Sequence, residues 1–343
     1  MAADPAATVR EAIKTVVEGA DLTREQATAT MNAIMSGEAS AAQIGCLLTA
    51  LRLKGETVDE ITGFATVMRD KVTPIRHGVP LVVDTCGTGG DGLHTFNIST
   101  IAAFIAAGGG ATVAKHGNRS VSSACGSADV LKALGVNIEA PVETVERCLD
   151  EVGIGFLYAP LLHKAMKHAI GPRREIAIRT VFNILGPLTN PAGASAQLLG
   201  VYDGALCETL ANVLKALGST RVFVVHGADG QDEISLTGPT TVAELRDGTV
   251  TAYTIAPEQF DMPCVTIEAL VGGDPEQNAA IAREVLAGKK GPHRDAVLLN
   301  AGAAIAAAGL ADDIAAGIAT AAEAVDSGAA AAKLDELVKL TTA

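Results

Sequence analysis

The chain is 343 residues long, enough for one large domain or two and for a substantial buried core. Its formal net charge of −13 excludes a broad basic surface, so a nonspecific nucleic-acid binder is not expected and anionic ligands must be met by local charge. Aromatic residues make up only 3% and tryptophan is absent, a composition that suits small-residue helices packed closely on a sheet. The six cysteines are scattered without a CxxC pair, which fits reduced thiols in a cytoplasmic enzyme. No secretory signal is expected at the N-terminus. No membrane segment is expected either, because the run 101–114 is too short and too glycine-rich to span a bilayer.

Up to about Val72 the pattern is helical. Thr23 with Gln26, Ser40 with Gln43, and Thr57 with Glu60 each spell a capping box before a run of helical apolar spacing. Thr73-Pro74 stops the last of these helices, and Gly78-Val79-Pro80 links to the first strand. From Leu81 strands and helices alternate, which predicts an α/β domain with a mostly parallel sheet. Strands are expected at 81–84, 111–115, 155–158, 198–202, 221–225 and 250–255. Helices are expected at 128–134, 142–152, 206–217, 275–287 and 294–308, with a helical tail over 311–340. The segment 166–185 reads as helix again.

The stretch from Val82 to Ser127 carries the chemistry. A short apolar run ends in Asp84, and glycines follow at Gly87, Gly89, Gly90 and Gly92. Asn97-Ile98-Ser99-Thr100 then opens an apolar helix, with Ser99 and Thr100 placed to cap it and to donate to phosphate. A second apolar run leads into Lys115-His116-Gly117-Asn118-Arg119-Ser120, which brings Lys115 and Arg119 to a strand end. Glycines that let backbone N–H groups approach an anion, a helix N-terminus and two cations together point to a phosphate. This is no Walker A loop, since no Gly-Lys-Ser/Thr follows. The literal G-x-G-x-x-G of Gly87, Gly89 and Gly92 lacks its dinucleotide context, because the helix opens only near Asn97. Cys86 and Cys125 read as small residues filling tight loops.

The motifs GTGGDG, HTFNIST and KHGNRSVSSACGSADVLKALG resemble those of the anthranilate phosphoribosyltransferase family. The likeness continues through RTVFNILGPLTNP, QLLGVY, VHGADGQDEIS and VLLNAG, and so covers nearly the whole chain. It implies transfer of a phosphoribosyl group from phosphoribosyl pyrophosphate to the amine of anthranilate, in tryptophan biosynthesis. It also implies a small helical domain at a homodimer interface, made of residues 1–74 plus about 166–187. The α/β domain would then take 75–165 and 188–343.

By the same resemblance, Gly87, Gly90, Asp91, Thr95, Asn97, Ser99, Thr100, Lys115 and Ser127 bind phosphoribosyl pyrophosphate. Gly87, Asn118, His163 and Arg173 contact anthranilate, with Arg174 as the competitor one residue out of register. Asp232 and Glu233, joined by Ser99, are the expected ligands of Mg²⁺, two ions in number. Asp229 reads as a turn residue, and Arg179 as a partner in helix packing or an ion pair. No distinct catalytic acid or base is expected, because an aromatic amine is already neutral at pH 7. Two departures stand out: Leu162 and Lys164 replace the family's usual His and Pro around His163, and Gly171-Pro172 precede the arginine. Two alternatives remain open here, a pyrimidine nucleoside phosphorylase-like enzyme and a non-catalytic nucleic-acid-binding relative.

Overall fold

The computed structural model describes residues 5–119 and 124–343. Four helices open it: α1 (Pro5–Val17), α2 (Arg24–Met35), α3 (Ala41–Lys54) and α4 (Val58–Lys71). The three expected capping boxes all form. Glu60 does more than close its own box. Fully buried, it also accepts from the Leu22 N–H at 3.0 Å and pairs with Lys54 at 3.0 Å, so one carboxylate ties α4 to α3 and to the connection that leads into α2.

The alternating part follows. It runs β1 (Val83–Gly87), α5 (Ile98–Gly108), β2 (Val113–Gly117), α6 (Ser127–Ala133), α7 (Val142–Arg147) and β3 (Ile154–Tyr158). Three short helices, α8 (Ala159–Leu162), α9 (Ile170–Ile176) and α10 (Phe182–Leu185), lead to β4 (Ala196–Gly200). Then come α11 (Leu206–Ala216), β5 (Arg221–Gly227), β6 (Thr240–Arg246) and β7 (Thr249–Ile255). Helices α12 (Pro275–Leu286), α13 (Pro292–Ala307), α14 (Ile314–Asp326) and α15 (Ala329–Thr342) complete the chain. Among the described residues no helix is long and apolar enough to cross a membrane.

The seven strands lie in the order β3-β2-β1-β4-β5-β6-β7. The pairs from β3 to β5 are parallel, while β5–β6 and β6–β7 are antiparallel. The chain moves outward from β1 on one side and from β4 on the other. The carboxyl ends of these two neighbours therefore open at a switch point, where open α/β sheets bind their ligands.

The period of two along each strand divides the core. On β5, Phe223 and Val225 join the apolar cluster of α5, α13, α14 and α15, while Val222 and Val224 join that of α1 to α4 and α11. Ala169, Val181, Phe182, Leu185 and Leu188 also belong to the second cluster.

Three expectations need correction. Strand β6 lies outside the expected set, although Asp247-Gly248 between two alternating segments is a strong hairpin signal. Both residues have positive φ, 51° and 74°, as a two-residue I′ turn requires. The strand expected over 111–115 instead runs to Gly117, which moves Lys115 from a loop edge into the sheet. The segment 166–185 is not one helix. α9 stops at Ala177, which adopts a left-handed φ of 50°, and α10 starts only at Phe182.

Candidate active site

The base of the site is a polar layer inside the sheet. Asp84 is fully buried on β1 and accepts from Asn190 Nδ2 at 2.7 Å and from the His116 N–H at 3.1 Å. Asn190 also donates to the Ala114 carbonyl at 2.8 Å, which fixes β1 against β2. Burial pushes the Asp84 carboxyl above the usual carboxylate range. Lys115, only 3% exposed, points upward from this layer. Its ammonium donates to the Thr85 carbonyl and lies 3.4 Å from Ser99 Oγ, directly under the start of α5. Burial lowers its pKa, against the upward pull of Asp84, Cys86, Glu233 and Asp232. Cys86 is buried in β1, with Gln197 Nε2 3.0 Å from its sulfur.

Above the layer, two acidic side chains turn inward. The Gly89 N–H donates to Asp232 Oδ2 at 2.7 Å, and the Ser99 N–H donates to Glu233 Oε1 at 3.1 Å. The pair thus sits on the amides of the glycine loop and of the α5 N-terminus. Burial and neighbouring negative charge, Asp91 for Asp232 and Asp232 for Glu233, push their pKa values up to about 6 and about 8. Two glycines make room for them. A Cβ on Gly87 would lie 2.9 Å from Asp232 Cγ, and one on Gly200 would overlap the Asp232 carbonyl group.

The glycine loop itself turns through positive φ at Gly89, Gly90 and Gly92. Asp91 caps its own turn by accepting from the Leu93 N–H at 3.2 Å. Arg179 holds the loop from outside. Its guanidinium donates to the Gly90 carbonyl and stacks over the Tyr202 ring at 4.2 Å. The expected role of Arg179 in helix packing or an ion pair is therefore wrong. It is a loop anchor, and a Cβ on Gly90 would meet it at 2.6 Å.

The expected capping of α5 by Ser99 and Thr100 is not seen either. Asn97 occupies the N-cap without a side-chain cap bond, and Thr100 is buried one turn in. The Asn97 carboxamide is instead held between Asn278 Nδ2, at 2.9 Å, and the Cys125 carbonyl, at 3.2 Å. Thr95 pairs with Val271 in an isolated bridge.

The second half of the site borders β2 and α9. Ser127 Oγ donates to the Asn118 carbonyl at 3.1 Å, and Asn118 Oδ1 accepts from the Arg119 N–H at 2.7 Å. Ser120 of the basic loop lies outside the described residues. His163 and His116 face one another with their Nε2 atoms 3.1 Å apart. Burial, and for His116 also the neighbouring imidazole, depress their pKa values to about 4 and about 3, so both rings are neutral at pH 7. Arg173 turns inward over the Phe182 ring at 5.0 Å, whereas Arg174 is exposed. Of the two departures around His163, Leu162 is a buried core residue and Lys164 is exposed.

The comparisons with known proteins agree on one family. The family description "Glycosyl transferase family, a/b domain" matches residues 79–331, and "Glycosyl transferase family, helical bundle domain" matches residues 10–72. The chain is 59% identical to the anthranilate phosphoribosyltransferase of Pelotomaculum thermopropionicum, over 97% of this chain and 96% of that protein. It is 58% identical to that of Moorella thermoacetica, over 95% and 96%.

The chain belongs to the anthranilate phosphoribosyltransferase family.

Solved members of the family superpose along the whole length. The crystal structure of anthranilate phosphoribosyltransferase from Thermus thermophilus aligns with a TM-score of 0.92 at 46% identity, over 97% of this chain and 99% of that one. The Saccharomyces cerevisiae enzyme, solved in complex with PRPP and Mg, aligns with a TM-score of 0.89 at 28% identity, over 98% of both chains. A planar guanidinium can hold a carboxylate through two parallel hydrogen bonds, and of the two arginines only Arg173 turns inward. Arg173→Ala is therefore expected to raise the anthranilate KM about tenfold or more, with little effect on the KM of phosphoribosyl pyrophosphate. Arg174→Ala should change neither, and initial-rate kinetics on both variants checks the register.

Proposed function

We propose that this chain transfers the phosphoribosyl group of phosphoribosyl pyrophosphate to the amine of anthranilate, releasing pyrophosphate, as a step of tryptophan biosynthesis. The observation that carries this reading is the meeting of Asp232-Glu233 with the glycine-loop amides and the α5 N-terminus over a buried Lys115. Gly87, Gly90, Asp91, Thr95, Asn97, Ser99, Thr100, Lys115 and Ser127 form the phosphoribosyl pyrophosphate side of the proposed site. Gly87, Asn118, His163 and Arg173 form the anthranilate side.

The donor set fits magnesium. Asp232 and Glu233 are hard oxygen donors held side by side against their mutual repulsion. Among the described residues no group of three or more metal-type side chains gathers. An ion held by two carboxylates takes its other oxygens from water and substrate, the usual habit of Mg²⁺. When bound, the metal neutralises charge on the diphosphate. Two such ions are proposed, with Ser99 beside them.

The chain's own groups do the rest. The Gly89 and Ser99 amides hold the two carboxylates, so the other amides of the glycine loop and the α5 N-terminus meet the phosphate oxygens, with Lys115 below them. Arg173 and Asn118 hold anthranilate in line with the ribose carbon, which converts an encounter into a positioned reaction. The amine is neutral before attack, so no base has to act first. The uncharged His116–His163 pair adds no positive charge beside the cationic ribose carbon. We further propose that residues 1–74 with 166–187 form the helical domain, and that the chain is a cytoplasmic homodimer. The exposed Val17 and Leu53 of the packed helices α1 and α3 support a second copy as the partner.

Anthranilate fluorescence tests the proposal. It should fall only when phosphoribosyl pyrophosphate and Mg²⁺ are both present. No fall with folded protein would overturn it, and thymidine phosphorolysis would be assayed next.

A further inference from the structure

Asp232 and Glu233 are adjacent in sequence, both acidic, and both aimed into the protein. Unrestrained, such a pair would splay and turn to water. The structure contains two devices that prevent this, one on each side of the dipeptide.

On the C-terminal side is Asn300, fully buried on α13. Its Oδ1 accepts from the Ile234 N–H at 2.9 Å, and its Nδ2 donates to the Ile234 carbonyl at 3.0 Å. The second Nδ2 proton goes to the Ala296 carbonyl at 2.9 Å, one turn back on the same helix. The carboxamide thus pairs with both polar groups of Ile234 as a neighbouring strand would, and its own direction is fixed by the helix it stands on. On the N-terminal side is Asp229. Its carboxylate accepts from the Gln231 N–H at 3.1 Å, from Ser235 Oγ at 2.9 Å, and from the Gln231 side chain and the Thr237 hydroxyl. Gln231 is in turn pinned through its carbonyl by the Gly227 N–H at 2.9 Å. The residues before and after the acidic pair are therefore both clamped, one to the α13 scaffold and the other to the end of β5.

We propose that Asn300 and Asp229 are positioning residues for the metal-binding pair, fixing the peptide on either side so that both carboxylates face the diphosphate. This rests on the proposed role of Asp232 and Glu233 as magnesium ligands and deepens it. Neither residue touches substrate in this proposal. A residue that only supported the fold would change the melting temperature and leave the metal curve in place. A residue that aims the ligands changes the metal curve itself.

The test uses the full chain and Mn²⁺ as the probe, with phosphoribosyl pyrophosphate present and anthranilate absent. Water-proton relaxation reports Mn²⁺ held on the protein. For Asn300→Ala the Mn²⁺ concentration at half-saturation should rise about 10- to 100-fold, as for other residues that orient metal ligands. The apparent Mg²⁺ requirement in the assay should rise in parallel, with the anthranilate KM within about twofold of the parent. Asp229→Asn, on a partly exposed turn, should shift the same curve and carries the test if Asn300→Ala does not fold. Folded variants whose Mn²⁺ curves superimpose on the parent would overturn the positioning role while leaving the metal site intact. A parent protein that holds no Mn²⁺ with phosphoribosyl pyrophosphate would overturn the metal reading, and the positioning role with it.

Discussion

Gly200→Ala is expected to lower kcat/KM on the order of 100-fold or more, the cost of misplacing a reactive group by about 1 Å. The reason lies across the switch point. Gly200 ends β4, and the Asp232 backbone packs so closely on it that an added Cβ would overlap the Asp232 carbonyl carbon and oxygen. Backbone cannot swing aside as the tip of a flexible side chain can. The acidic dipeptide would be driven off Gly87 and away from the amides of Gly89 and Ser99. Overpacking should also cost about 1–3 kcal/mol of stability. Calorimetry beside initial-rate kinetics separates the two effects. Gly238→Ala is the control, because its added Cβ would meet nothing within 4 Å and its φ is not left-handed. A fully active Gly200→Ala protein would mean that the Asp232 segment is free to move, against the clamped geometry described above.

The glycine at position 200 illustrates what sequence could and could not give. QLLGVY marks a strand and a motif, but it does not say which other backbone the glycine faces. That information belongs to the sheet order, in which Gly200 lies between Gly87 on β1 and Val225 on β5, and the chain that leaves β5 brings Asp232 back over it. Local signals are legible wherever local physics decides. The three capping boxes, the glycine loop and the alternation of strand and helix all form as the sequence spells them. Lys115 is legible along the chain but not in depth, because the apolar run that marks the strand ends at Ala114 while the strand itself continues to Gly117. Arg179 is misleading for a related reason. Its partners, Gly90 and Tyr202, lie 89 and 23 residues away, and no spacing rule reaches that far. The break at Ala177 is hidden because a left-handed alanine carries no compositional mark.

Combining Asp232→Asn with Glu233→Gln should lower turnover about 10³-fold or more at saturating Mg²⁺. It should also raise the melting temperature at pH 8 by about 2–4 °C. The two effects have one cause. In the folded chain, burial and neighbouring negative charge hold the two carboxyls protonated up to about pH 6 and about pH 8. In the unfolded chain they ionise near pH 4. Between these values the folded state binds more protons than the unfolded state. The contribution of the pair to stability is therefore complete below about pH 4 and is lost as pH rises through about 6 and then about 8. Amides cannot ionise, so the double variant keeps the hydrogen bonds to Gly89 and Ser99 without that slope. Melting curves from pH 4 to pH 9 should accordingly lie closest at the acid end and separate as pH rises, with the parent lower and the gap level above about pH 8. In the parent, Mg²⁺ with phosphoribosyl pyrophosphate should remove the alkaline deficit by giving the two charges a counter-ion. A double variant that melts lower than the parent at every pH would make the pair a structural element. One that retains more than about a tenth of parental turnover would remove it from the proposed metal site.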